Sequence, residues 1–158
     1  TMIDLKYPNM QQSFGMIRSN LLLQFIYKRP TFYAVRHMMT FFDDAVKAVG
    51  LLACETAATR KPTIAGFEKA GTPVALLWYG DQVPSDALAW EPVDITIKGA
   101  AFKDPVYVEM ITGKVFDLAP GSWSSEGGNT RLAQVPLWDS PVMLAERAQV
   151  PLRQDAKE

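Results

Sequence analysis

The sequence predicts a mainly β protein: an antiparallel β-sandwich preceded by one long buried helix. Three observations predict it. Over residues 30–49, Phe32, Val35, Met39, Phe42, Val46 and Val49 recur at alternating spacings of three and four, which is one face of a helix. From Thr63 onward the pattern changes to short runs rich in β-branched and aromatic residues. Turn signals separate those runs by about 8–12 residues, the spacing of an antiparallel sandwich or partial barrel.

The helix comes first. Pro30 suits its first position, where a missing N–H costs nothing. Ala34, Met38, Phe41, Ala45 and Ala48 form a second apolar stripe beside the first, so the helix expects cover on most sides. Gly50 is its expected stop. Upstream, Tyr7-Pro8-Asn9 and Ser13-Phe14-Gly15 are turn signals, and Leu21 to Tyr27 fits a short helix or a buried strand equally well. Residues 51–62 read as a linker ending in Thr59-Arg60-Lys61-Pro62.

Strands follow over 63–152. Thr63–Phe67 and Thr72–Tyr79 flank a short connection containing Gly71. Pro73 to Tyr79 is almost continuously apolar, which predicts a central strand covered on both faces. Val93-Asp94-Ile95-Thr96-Ile97 alternates as a half-buried strand does. Val106–Met110 and Lys114–Leu118 form a hairpin about Ile111-Thr112-Gly113. Pro120 to Thr130, rich in Gly and Ser, reads as an exposed loop. Leu132–Val135 and Val142–Leu144 are the last strands, and 153–158 is a charged tail.

Composition narrows the function classes. The chain has 158 residues, enough for one domain with a sizeable core. Its net charge is −1 with no basic block, so neither a nucleic-acid surface nor an anionic-membrane surface is expected. No apolar run approaches the roughly 18 residues needed to span a bilayer. The single cysteine, Cys54, leaves no internal disulfide and says little about compartment. No signal-peptide pattern follows Thr1, so secretion or periplasmic export would need a leader upstream. A start on Thr1 fits a tag scar, a processed end or the middle of a longer gene product.

Catalytic motifs are sparse. The single histidine, His37, falls within the helix and reads as packed rather than catalytic. One His and one Cys do not make a zinc site, and there is no phosphate-binding glycine motif, so no cofactor is expected. The glutamates are scattered, and nothing in their spacing brings two together. Trp78 falls in the apolar strand and reads as core. Exposed indoles stack on the C–H faces of sugars, and Trp123, in the Gly/Ser loop, is the best candidate of that kind, with Trp90 beside it.

Two stretches carry a resemblance. Phe14-Gly15-Met16-Ile17-Arg18, followed by Tyr27-Lys28-Arg29-Pro30-Thr31-Phe32-Tyr33-Ala34-Val35, resembles the end of the (β/α)8 barrel of retaining clan-A glycoside hydrolases. In that pattern an aromatic-Gly-Leu-Leu loop follows the eighth strand, and Lys-Pro-aromatic-Tyr-Ala opens the last barrel helix. Here Met16-Ile17 replaces Leu-Leu, and the intervening loop is long. Val74-Ala75-Leu76-Leu77-Trp78, Asp104 to Val115 and Val135 to Val142 resemble the β-sandwich that follows such barrels.

The resemblance implies that 1–50 is the last loop and helix of a barrel and 63–152 its accessory sandwich. Both catalytic glutamates would then lie upstream, and no catalytic residue is expected in this chain. Phe14 and Arg18 would leave the eighth strand at the catalytic face, where they are candidates for contacting a carbohydrate substrate. The expected partner is the catalytic barrel, in cis or as a second chain. Two other readings stand beside this one: a non-catalytic carbohydrate-binding or interaction β-sandwich, and a structural subunit whose helix docks on a partner.

Overall fold

The computed structural model describes residues 16–19, 25–81 and 89–151. Two antiparallel sheets stack face to face, and a helix covers part of the outer face of the larger one. Strands β1 (Ile17–Ser19) and β2 (Phe25–Lys28) form a short ribbon that leads into helix α1 (Pro30–Phe41). The larger sheet has six strands in the order β3-β5-β6-β12-β8-β9, comprising Val46–Leu51, Thr63–Lys69, Thr72–Trp78, Val142–Glu146, Pro105–Glu109 and Val115–Asp117. The smaller has four in the order β10-β11-β7-β4, comprising Trp123–Glu126, Asn129–Leu137, Glu91–Ile97 and Cys54–Thr56. The fold is thus the mainly β, antiparallel sandwich with a preceding helix that the sequence predicts.

Alternation builds the core. Val93, Ile95 and Ile97 of β7 and Leu132, Val135 and Leu137 of β11 point inward from the smaller sheet. They meet Ile64, Ala75, Leu77, Tyr107, Val142 and Leu144 from the larger one. The larger sheet is also covered behind. Val74, Leu76, Val106, Val108, Met143 and Ala145 pack there with Phe41 of the helix and with Met110. β6 and β12 are interior strands with both faces covered, which is why their runs are apolar at nearly every position.

The helix is shorter and more exposed than the sequence predicts. It ends at Phe41 instead of running to Val49, and Phe41 is its only buried residue. Three local interactions stop it. Asp43 Oδ1 accepts the Ala45 N–H at 3.0 Å, a turn that competes with helical hydrogen bonding. Lys69 Nζ donates to the Phe41 carbonyl at 2.6 Å, satisfying one of the orphan acceptors at the helix end. The same ammonium sits 4.6 Å from the Phe41 ring centroid. Val46 to Leu51 then pairs with β5, so the three-and-four spacing of Val46 and Val49 belongs to a strand.

Two further segments differ from expectation. The stretch read as a linker contains β4, which pairs with β7 at the edge of the smaller sheet. The Gly/Ser stretch read as a loop contains β10, joined to β11 by Gly127-Gly128 at φ 56° and 80°. Gly-Gly between two short runs is a two-residue hairpin signal.

Candidate functional site

The sequence candidates land in different places. Phe14 lies outside the described residues. Arg18 is in β1, its Cα opposite Tyr27. Trp123 stands opposite Leu132 across the β10–β11 ladder, so the two share a face. Leu132 is 1% exposed, and Trp123 packs half-buried against the same core, so it does not offer an open ring. His37 Nδ1 donates to the Met110 carbonyl at 3.0 Å, which seats α1 on the end of β8 and accounts for the histidine as a packed group. Among the described residues, no three His, Cys, Asp or Glu side chains gather to hold a metal.

One end of the sandwich collects the chemistry that remains. In β7 the inward row Ile97, Ile95, Val93 continues to Glu91, which emerges into solvent where the core ends. Its neighbours arrive from other chain segments. Tyr79 follows β6, and its N–H donates to the carbonyl of Trp138, just past β11, at 2.8 Å. Arg60 comes from the segment before β5 and lies over the Tyr79 ring, 4.1 Å from its centroid. Its Nε and Nη2 reach the two Asp81 oxygens at 3.0 and 2.5 Å, and Nη1 reaches Glu91 Oε1 at 3.3 Å. Trp90 packs on Trp138 with ring centroids 5.4 Å apart and planes 49° apart.

The electrostatics follow from this fork. The paired carboxylates, Asp81 first, hold the Arg60 guanidinium firmly protonated. Hydrogen bonding to Arg60 in turn keeps the Asp81 carboxyl below the usual carboxylate range. Burial pushes the Tyr79 hydroxyl up, and the nearby Glu91 charge adds to it. Trp138 is 4% exposed but Trp90 is 59% exposed, so a buried indole supports an open one. The group combines fixed hydrogen-bond acceptors with an exposed aromatic ring at one end of the sandwich. Nothing in it resembles a nucleophile paired with a base.

A second exposed surface is apolar. Met39 on α1 and Val49 and Leu51 on the edge strand β3 stand largely in solvent, and Tyr33 and Met38 on α1 are partly exposed. Lys28, Pro30, Tyr33, His37, Ile111 and Thr112 line an open cleft of about 300 Å³ between α1 and the β8–β9 turn.

No protein-family model matches the sequence, and no curated protein matches it either. The Trp90 cluster was only partly legible. Trp90 lies just before β7, where strand alternation does not fix its direction, and its ring packs on Trp138 of the core. The Arg60–Asp81–Glu91 fork joins three segments far apart in the chain, and no local spacing announces it.

Proposed function

We propose that this chain is the C-terminal part of a retaining glycoside hydrolase, a β-sandwich joined to a catalytic (β/α)8 barrel. The observation that carries the reading is the open apolar surface of α1. The helix uses His37 and Phe41 to dock on the sheet, and leaves Tyr33, Met38 and Met39 facing outward with Leu51 at 78% exposure on β3. Such a surface marks an interaction face. The resemblance of Tyr27 to Val35 to the opening of a last barrel helix supplies the partner: the strands and helices of the barrel. Hydrolysis would proceed through two carboxylates and a covalent glycosyl-enzyme intermediate, with both glutamates contributed by the barrel. The sandwich buttresses that barrel.

The test joins the chain to the polypeptide encoded upstream of it. The joined protein is expected to hydrolyse aryl glycosides with retention, while residues 1–158 alone do not. Replacing Met39 and Leu51 together by Lys should lower the thermal stability of the joined protein more than that of the isolated chain. Hydrolysis by the isolated chain, or an upstream sequence without a barrel, refutes the reading.

A further inference from the structure

We infer that the sandwich end around Trp90 is a carbohydrate subsite. The exposed indole stacks on the C–H face of a pyranose, while the Asp81 and Glu91 carboxylates accept hydrogen bonds from its hydroxyls. The inference does not rest on the hydrolase reading, because it concerns binding by this chain alone.

Four features carry it. Trp90 differs from the other tryptophans: Trp138 is buried, and Trp78 and Trp123 are half-buried against the two cores. Its ring rests against Trp138 in a tilted contact, centroids 5.4 Å apart, which restricts its motion before a ligand lands on it. The acceptors are held as well. One guanidinium fixes both carboxylates, each still about half exposed, at 42% for Asp81 and 47% for Glu91. Finally, Trp138 Nε1 is buried without a hydrogen-bond partner among the described residues. Among the described residues the cluster therefore keeps one indole donor unused.

The charge selects the ligand class. Arg60 offsets one of the two carboxylates, leaving the cluster with a net negative charge, which disfavours phosphates and other anions. A neutral polyol with hydroxyl donors on its rim and C–H groups on its face matches both halves of the site. A quaternary ammonium would also favour an aromatic face, but such cations are typically held in cages of several rings, and here one ring is open.

The experiment titrates the 158-residue chain with cellohexaose, xylohexaose and mannohexaose, followed by calorimetry and by tryptophan emission, with choline chloride as a separate titrant. At least one hexasaccharide should bind with a dissociation constant of about 1 mM or below. Trp90→Ala should weaken that binding about ten-fold or more, and Glu91→Gln several-fold, at unchanged melting temperature. Trp123→Phe should leave it unaltered. Absence of binding by all three sugars, binding that survives Trp90→Ala, or choline binding tighter than any sugar overturns the inference. Each of these outcomes is independent of whether the joined polypeptide hydrolyses glycosides.

Discussion

Gly113→Ala tests how the helix is seated on the sandwich. Gly113 lies in the β8–β9 turn at φ +73°, and a Cβ built on it would stand 2.6 Å from His37 Nε2. The imidazole cannot swing aside freely, because its Nδ1–H is bonded to the Met110 carbonyl at 3.0 Å. Two costs therefore add. An L side chain in the left-handed region costs about 1–2 kcal/mol. Giving up the His37 hydrogen bond costs about 0.5–1.5 kcal/mol more. The substitution should destabilise the protein by about 1.5–3.5 kcal/mol in all. Gly71→Ala is the control: Gly71 has φ +76° with nothing within 4 Å of the added Cβ, so it carries the backbone cost alone. Urea unfolding of both variants, read at a common slope, gives the difference. That excess should shrink to nothing when both are compared in a His37→Ala background. Equal destabilisation by the two substitutions, or an excess that persists without the imidazole, would refute this seating of α1.

Three other predictions are more local. Ala70 holds φ 50° in the two-residue turn before Gly71, so Ala70→Asn, better suited to that turn, should raise stability by about 0.5–1 kcal/mol in thermal melts. Glu146, 7% exposed, accepts the Lys103 and Asp104 N–H groups at 2.7 and 2.8 Å; Glu146→Ala should cost about 2–4 kcal/mol in guanidinium unfolding, and Glu146→Gln less. Asp43, Asp81 and Asp94 are held below the ordinary aspartate range, chiefly by hydrogen bonds from Lys69, Arg60 and Gln134 respectively. In the unfolded chain they take up protons first as pH falls, so their contribution is present above the ordinary aspartate range and is lost as pH falls through that range toward the lower folded-state values. Arg60→Gln should make the acid-side loss shallower, and an unchanged acid limb would remove Asp81 from the account.

Most of the sandwich was readable because alternation and continuous apolar runs report directly on burial. Val93 to Ile97 faces water on one side, and Pro73 to Trp78 does not; their patterns differ accordingly. The predicted helix overruns the observed one because three-and-four spacing at Val46 and Val49 also fits a strand broken by a bulge, and β3 has that irregularity between Ala48 and Gly50. Asp43-Asp44 was the available stop signal. Gly127-Gly128 was likewise a readable hairpin signal within a loop-like composition. For the candidate site, Trp90 lies outside the alternation of β7, and its exposure follows from the packing at the sandwich end. Nothing local links Arg60 to Asp81 and Glu91, since that contact exists only once β5, β6 and β7 have come together. Trp123 shows the converse error: its Gly/Ser surroundings suggest exposure, yet its strand register turns it onto the core beside Leu132.

The most direct test of the central claim is the mass of the natural gene product, isolated through an antibody against the sandwich and measured under denaturing conditions. The accessory-domain account predicts a polypeptide well above 17.6 kDa, larger by about the 250 residues of a (β/α)8 barrel. A single 17.6 kDa species, monomeric and cooperatively folded, would contradict it, and the chain would then stand as a free carbohydrate-binding module.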